Sequence, residues 1–336
     1  MTRVALFFLF VLLAGIARSA GAAPHVLSPA GPAAARIAQL GFWVLVCFAI
    51  VSVVMWLLIF WVGLRRRGTF DEHASWQTED GRAFIYVGGI AIPAITLAIV
   101  FIATLHTMAA FPMADHGDDA SIRIVGHQWW WEVQYLADDA GPAFMTANEV
   151  HVPAATPVTI ELRSADVIHS FWIPQLHGKV DLVPGVVNHI RIQASEPGVY
   201  TGQCAEYCGP EHGKMRLVVM ADAPADFAAW AANQRAEART PTTPAATRGR
   251  DVFMSAQCAL CHSIRGTTAR GGVGPDLTHF ASRRGLAANS YERNAGTLAA
   301  WVVHAQVLKP DAKMPDIGGL SSDDVGALVA YLQSLH

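Results

Sequence analysis

The sequence is poor in charged residues. Asp, Glu, Lys and Arg together make up 15% of its 336 residues, whereas soluble domains average about 25%. The 24 Lys and Arg nearly balance the 27 Asp and Glu, so the sequence lacks the basic excess typical of nucleic acid binding proteins. Hydrophobic residues reach 52% and the mean hydropathy is +0.31. A membrane protein with no nucleic acid partner is therefore the first expectation.

The N-terminus has the three parts of a secretory signal. An arginine at position 3 precedes an apolar run over residues 4–16, and small residues follow up to Ala23. The apolar run is shorter than the roughly 20 residues that a bilayer requires. We predict a signal peptide over residues 1–23; an uncleaved first span is the alternative.

Two uncharged apolar stretches follow, over residues 41–64 and 83–105. Each is long enough, at 1.5 Å per residue, to cross roughly 30 Å of hydrocarbon. Arginines occupy positions 65–67, and loops rich in basic residues stay on the cytoplasmic side. We therefore predict a two-helix transmembrane hairpin within residues 36–110, in contact with lipid of a bacterial inner membrane. Everything after the hairpin would be periplasmic.

The pattern changes at residue 111. Short alternating runs of β-forming residues, such as 121–125 and 158–162, are separated by Pro and Gly as far as residue 221. This pattern predicts an all-β antiparallel sandwich or barrel over residues 111–221.

The C-terminal third divides into two segments. Residues 222–247 are dominated by Ala, Pro and Thr, which predicts a linker with one short helix around 227–236. Residues 248–336 open and close with helical patterns, and Ser321 or Ser322 can cap the closing helix. The final segment is therefore predicted to be an all-α domain.

Charge is distributed unevenly between these domains. Residues 112–221 contain 6 Lys and Arg against 13 Asp and Glu, whereas residues 248–336 contain 9 against 7. Opposite net charges steer encounters, and a flexible linker of about 26 residues spans roughly 25–30 Å. The sequence therefore predicts a tethered all-α domain at millimolar effective concentration beside the acidic β domain, whose encounters with that domain depend only weakly on salt because the tether replaces long-range capture.

Only five cysteines are present, and four of them form two close pairs. Cys47 lies in the first apolar stretch, where it is interpreted as a small apolar filler. Near the first pair, Cys204 and Cys208, the chain also carries His212 and Met215. His169 lies 35 residues upstream of Cys204. Two thiolates, two imidazoles and a thioether are soft ligands that favour copper.

The second cysteine of this motif distinguishes it from a mononuclear blue copper site. Such sites use one cysteine, so Cys204 and Cys208 together could bridge two copper ions. A structural zinc site remains an alternative, although it would leave Met215 without a role. A periplasmic disulfide between the two cysteines is a second alternative.

The second pair belongs to the segment Cys258-Ala259-Leu260-Cys261-His262, the C-x-x-C-H pattern of covalent haem c. Both thiols can form thioethers with the haem vinyl groups while His262 binds iron. Met314 offers a thioether as sixth ligand. His279 and His304 are rival sixth ligands, and a redox C-x-x-C is the alternative interpretation.

The first motif resembles the CuA motif of subunit II of the haem-copper oxidases, from the hairpin through Met220. The resemblance implies a cupredoxin-like barrel and a dinuclear copper A. Its ligands would be two bridging cysteines, one histidine for each copper, a weak methionine and a backbone carbonyl: Cys204, Cys208, His169, His212, Met215 and Glu206.

Further roles follow from the same resemblance. In the family, the carboxylate of the residue equivalent to Glu206 reaches a magnesium ion at the contact with subunit I. Electrons enter at the first tryptophan of an aromatic segment, here Trp129 in residues 126–132. An acidic residue near the start of the second span is replaced by Tyr86, so its role would fall to Glu79 or to a group of subunit I.

The C-terminal segment resembles a small class I cytochrome c domain, in which the Pro275 carbonyl orients the proximal histidine. The whole order of segments resembles subunit II of a caa-type cytochrome c oxidase. This implies an electron-input subunit that takes electrons from a cytochrome c donor through haem c to CuA. Subunits I and III would be partners, and oxygen reduction would take place in the haem-copper subunit.

Three alternatives remain open at this stage. The chain could serve a CuA-dependent nitric oxide reductase, since the electron-input subunit would look alike. It could be a stand-alone membrane-anchored electron carrier. It could also be a copper-storage or copper-delivery protein, although such a protein would have no need of a haem.

Overall fold

The computed structural model describes residues 26–65, 82–83, 85–109, 111 and 120–336. The predicted signal peptide, two of the three arginines and Glu79 lie outside these residues. The chain forms two compact units. One contains residues 33–113, and the other joins the residues up to 32 with those from 114 onward.

The first unit contains the two apolar helices. Helix α1 covers Pro32–Arg65, with proline in the first turn where its missing N–H has no cost. Helix α2 covers Ile85–Ala109, beginning as a π-helix over Ile85–Ala91 and continuing as an α-helix. Both are long and apolar enough to cross a membrane. The predicted membrane hairpin is confirmed as a pair of helices, and Tyr86 lies exposed in the π-helical turn.

Ten strands follow within residues 120–222. In chain order they are β1 Ile122–His127, β2 Trp130–Tyr135, β3 Phe144–Ala147, β4 Glu149–Pro153, β5 Val158–Ser164, β6 His169–Trp172, β7 Val180–Leu182, β8 Asn188–Ile192, β9 Gly198–Cys204 and β10 Arg216–Asp222. They form two five-stranded sheets, β3-β2-β1-β5-β8 and β4-β10-β9-β6-β7. Alternate side chains of β1 and β2 are buried, as their period-2 pattern requires. The all-β prediction is confirmed.

The sheets are mixed rather than purely antiparallel. Strand β1 pairs with β5 in parallel, and β4 pairs with β10 in parallel. Parallel neighbours need long crossover connections, and the strands that intervene along the chain provide them. Alternation along a strand shows which face is buried but not the direction of its neighbour, so the sequence could not distinguish these two pairs.

The segment predicted as a linker contains a packed helix, α3, over Pro224–Arg235. Trp230 of α3 stacks on His151, with ring centroids 3.9 Å apart. It also makes edge contacts with Tyr135 and Phe144. Much of the segment is therefore fixed to the β domain, and its alanine-rich composition conceals the two aromatic residues that pack against the core, Phe227 and Trp230.

The C-terminal domain is helical. Its helices are α4 Pro244–Ser255, α5 Cys258–Cys261, α6 Ala295–Val303, α7 Ala305–Leu308 and α8 Ser322–Ser334, with a short hairpin of β11 Gly285–Leu286 and β12 Tyr291–Glu292. Ser321 caps α8 by accepting the N–H of Asp324. Helices α4 and α8 cross with the rings of Phe253 and Tyr331 in edge contact, 5.9 Å apart. The predicted all-α class is confirmed.

The crossing of α4 and α8 predicts opposite effects for two glycine substitutions. A Cβ at Gly249 would overlap the carbonyl oxygen of Ala327, whereas one at Gly326 meets nothing within 4 Å. Alanine favours a helix over glycine by about 1 kcal/mol. We expect Gly326→Ala to be neutral or stabilising and Gly249→Ala to destabilise the domain by about 1–3 kcal/mol through overpacking. Thermal unfolding of the haem-loaded protein measures both. Equal stabilisation by the two substitutions would contradict the crossing.

Candidate copper and haem sites

The five side chains of the first motif converge at one end of the β domain. The sulfurs of Cys204 and Cys208 lie 3.8 Å apart. His169 Nδ1 is 3.9 Å from the Cys204 sulfur, and His212 Nδ1 is 3.5 Å from that of Cys208. The Met215 sulfur lies 3.8 Å from Cys208. Each cysteine therefore has its own histidine neighbour, as a dinuclear copper site requires.

Three strands position these side chains. Cys204 ends β9, His169 begins β6, and Met215 directly precedes β10. The Cys204 N–H donates to the Met215 carbonyl at 2.9 Å, which closes the loop between β9 and β10. The Glu206 carbonyl oxygen, a candidate ligand, lies 3.2 Å from the Cys204 sulfur. Folding of the sheet thus assembles the site from residues that are far apart in sequence.

Asp166 orients the His169 ring, and sequence reasoning missed it. Its Oδ1 lies 2.8 Å from His169 Nε2, which leaves Nδ1 directed at the cysteines. Burial alone would lower the pKa of His169, but its hydrogen bonds with Cys204 and Asp166 raise it. A Cβ at Gly126 would come within 2.7 Å of the His169 ring. Only glycine therefore leaves room for the ring at this position.

The two thiols are electrostatically coupled. The hydrogen bond with Cys208 is the main cause that lowers the pKa of Cys204 to about 4. The same hydrogen bond raises the pKa of Cys208. This hydrogen bond favours ionisation of Cys204 over Cys208, and a metal bound to both sulfurs would displace the remaining proton.

The surroundings of Glu206 do not support magnesium. Its side chain is 44% exposed and pairs with Lys179 Nζ at 3.4 Å. Lys179 also pairs with Asp181 at 3.0 Å. A lysine ammonium thus occupies the space between the two carboxylates, and no cluster of oxygen ligands for magnesium surrounds Glu206 among the residues described.

The cysteine pair gives a first test of copper binding. We expect Cys208→Ser to abolish the purple absorption and the delocalised EPR signal of a two-copper centre, because one bridging thiolate is lost. The haem spectrum should remain. Cys47→Ser is the matched control, since Cys47 lies in α1 and outside the ligand cluster. A two-copper EPR pattern that survives in Cys208→Ser would refute the ligand assignment.

A single cavity brings the second motif together. It is lined by the residues predicted to attach and ligate haem: Cys258, Cys261, His262, Pro275 and Met314. Apolar side chains of the domain core, including Phe253 and Leu298, complete its walls. The donor set and the apolar lining both fit a covalently attached haem.

His262 is held as a proximal ligand requires. Its Nδ1 lies 2.8 Å from the Pro275 carbonyl oxygen, so Nδ1–H donates and Nε2 is left for iron. Burial lowers the pKa of His262, which favours the neutral ring that binds metal. A Cβ at Gly274 would approach the ring to 2.6 Å. His262, like His169, thus packs against a glycine.

The rival sixth ligands do not line the cavity. His279 is buried, and its Nε2 lies 3.0 Å from the Ala236 carbonyl oxygen. His304 is exposed at the end of α6. Met314 is the remaining candidate within the cavity wall. Met314 stays the predicted sixth ligand, and its place in the cavity wall is compatible with that role.

The sixth ligand can be tested through the haem potential. We expect Met314→His to keep the covalent haem, because the attachment cysteines and His262 are unchanged. The reduction potential should fall, since a thioether ligand raises it, and any sulfur-to-iron band should disappear. Redox titration and the optical spectrum measure these changes. An unchanged potential would point to another ligand.

The haem cavity extends to the β domain. Gln128, Trp129, Trp130 and Asn148 form part of its wall. The Trp129 indole Nε1–H donates to the Cys208 carbonyl oxygen at 3.0 Å, and Gln128 Nε2 donates to the same oxygen at 2.7 Å. Trp129 is only 5% exposed. The sequence did not predict this direct contact between the two candidate sites.

The two domains match different family models. Residues 136–222 match the model "Cytochrome C oxidase subunit II, periplasmic domain", and residues 246–336 match the model "Cytochrome c". Cytochrome c oxidase subunit 2 of Alkalihalophilus pseudofirmus is 35% identical over 315 residues, 92% of this chain and 90% of that protein. The subunit 2 of Bacillus subtilis is 28% identical over 330 residues, 92% of this chain and 91% of that protein.

Among solved structures, the periplasmic domain of subunit II of cytochrome oxidase of Bradyrhizobium japonicum is similar to part of this chain. The two share 30% sequence identity with a TM-score of 0.33. The matched region covers 35% of this chain and 94% of the Bradyrhizobium japonicum domain.

Proposed function

The chain belongs to the cytochrome c oxidase subunit II family, and we propose that it is the electron-input subunit with haem c and copper A as its two redox centres. Cys204, Cys208, His169, His212 and Met215 would hold copper, together with the Glu206 carbonyl. Cys258 and Cys261 would attach the haem, with His262 and Met314 as its axial ligands. When bound, the two cofactors supply one-electron transfer, from a cytochrome c donor toward the haem-copper subunit.

The position of Trp129 supports a direct path between the two sites. One face of the residue lines the haem cavity, and its indole N–H donates to the backbone of a candidate copper ligand, Cys208. The chain excludes water from this junction, since Trp129 is almost fully buried. The position of Trp129, in contact with both the haem cavity and a candidate copper ligand, is the observation that best supports the proposal.

The catalytic chemistry belongs to partner subunits. Members of the family are components of a haem-copper oxidase complex, so this chain associates with oxidase subunits. His106 is the only histidine in the described parts of the membrane helices, which is too few for a haem-copper centre. We propose subunits I and III as partners. The relatives are named cytochrome c oxidase subunits, which favours O2 over nitric oxide as the final acceptor.

The chain is membrane-anchored, and its contacts support a two-pass topology. Just before α1, the Ala30 N–H donates to the Gln175 carbonyl at 2.7 Å, and its own carbonyl accepts the Ser195 N–H at 2.8 Å. Residue 30 and the β domain therefore lie on one side of the membrane, and the chain crosses it twice in between. We propose that this side is the periplasm of a bacterial inner membrane.

Replacement of Trp129 tests the proposed path. We expect Trp129→Phe to slow electron transfer from haem c to copper several-fold, because the indole N–H contact with Cys208 is lost. Trp130→Phe is the matched control: Trp130 also lines the cavity, but its ring stacks on His127, at 4.5 Å. Photoreduction of the haem, followed through the copper absorption in the purified complex, gives the rate. Equal rates in wild type and Trp129→Phe would remove Trp129 from the path.

A further inference from the structure

The haem-bearing domain is docked on the β domain through buried polar contacts. Lys309, at the end of α7, is only 2% exposed. Its Nζ donates to the carbonyl oxygens of Trp129 at 2.6 Å, Lys214 at 2.9 Å and Ala287 at 3.3 Å. Two of these acceptors belong to the β domain, and one of them is Trp129 itself. A lysine of one domain therefore fixes the backbone of the electron-path residue in the other.

The β domain makes a reciprocal contact. Glu149 of β4 is 4% exposed, and its Oε1 accepts the backbone N–H groups of Arg284 and Gly285. Burial raises the pKa of Glu149, whereas these hydrogen bonds and the charge of Arg283 oppose the rise. A buried carboxylate without partners is costly. The loss of docking would therefore leave Glu149 without the partners that the other domain provides.

The contact surface on the haem domain is an unusual hairpin, residues 284–292, which we call the docking hairpin. Ala287, Ala288 and Asn289 all have positive φ, of 52°, 59° and 55°. Left-handed conformations are unfavourable for alanine, whereas asparagine tolerates them better. The turn directs the Ala288 carbonyl to the Arg216 N–H at 3.2 Å, and Asn289 Nδ2 donates to the Asn148 carbonyl at 2.8 Å. Strain of this kind persists where surrounding contacts hold it.

We propose that Lys309 and Glu149 are positioning residues that hold the haem cavity against Trp129 in the orientation used for electron transfer. This role rests on the proposed function. Neither side chain is a candidate ligand of a cofactor. Lys309, in the haem domain, holds Trp129 of the β domain. Glu149, in the β domain, holds the docking hairpin of the haem domain.

The protonation state of Lys309 is compatible with this role. Burial lowers its pKa to about 7, while Glu211 raises the pKa and Lys214 lowers it. The three carbonyl oxygens around Nζ match the three donors of an ammonium. A neutral amine would keep two of these donors. Methionine is also unbranched and only one atom shorter, but it has no donor, so Lys309→Met is the sharpest substitution.

The experiment uses the complete oxidase complex and two independent readouts. Hydrogen exchange, followed by mass spectrometry of peptides covering residues 284–290 and 214–218, reports docking, because the amides of Arg284, Gly285 and Arg216 donate across the junction. The rate of copper reduction after photoreduction of the haem reports electron transfer. Optical and EPR spectra first verify that both cofactors are present.

We expect Lys309→Met and Glu149→Ala each to accelerate exchange in these peptides and to slow copper reduction on the order of tenfold or more, since removing one partner of a buried hydrogen-bonded charge strongly weakens an interface. Two residues outside the junction contacts, the exposed Glu196 and the half-buried Arg250, provide controls with the same change of charge. Arg250→Met removes a cation from α4, and Glu196→Ala removes an anion from the β domain. Neither control substitution should change the hydrogen exchange of these peptides or the rate of copper reduction.

The two readouts separate the possible failures. Unchanged exchange in both variants would overturn the proposal, and so would faster exchange with an unchanged rate. If Lys309→Met loses haem, Glu149→Ala carries the same test from the other domain. If the wild-type complex shows no transfer from haem to copper while its junction amides remain protected, the proposed function fails. The positioning role then fails with it, although the docking contacts stand.

Discussion

The carbonyl oxygen of Cys208 connects the loop of candidate copper ligands to the part of the β domain that lines the haem cavity. It accepts hydrogen bonds from Trp129 and Gln128, while the sulfur of the same residue faces the other candidate copper ligands. The loop that carries the ligands is thereby fixed to the wall of the haem cavity. A shift of this loop would disturb the ligand geometry and the junction together. The two candidate sites are therefore mechanically coupled through one peptide group.

The sequence predicted the local parts of this arrangement well. The haem attachment motif spans five consecutive residues, and five of the six candidate copper ligands lie within residues 204–215. The helical pattern and cap of α8 and the alternation in β1 also have short-range signals. These features depend on side chains that are close along the chain, so residue types and spacing are sufficient to recognise them.

The junction could not be predicted in the same way. Trp129 and Cys208 are 79 residues apart, and Lys309 and Trp129 are 180 apart. Most acceptors at the junction are backbone carbonyls, and every residue has one, so they leave no signature in the sequence. Asp166 was missed for a related reason: an aspartate three residues before a histidine is common, and only the fold shows that its carboxylate orients His169.

The packed helix α3 and the docked domain change the expected kinetics. A flexible tether would keep the haem domain at a high local concentration, and a new encounter between the domains would precede each electron transfer. In the structure, Arg265 of the haem domain donates to the Gln234 and Arg235 carbonyls at the end of α3, so the connection is itself part of the contact. The most buried charges of the junction, Lys309 and Glu149, are bonded to backbone groups rather than to opposite charges. Salt screens exposed ion pairs far more than buried contacts. The proposed transfer within this chain would therefore be governed by how well the domains fit, and long-range attraction would matter only for the proposed external donor.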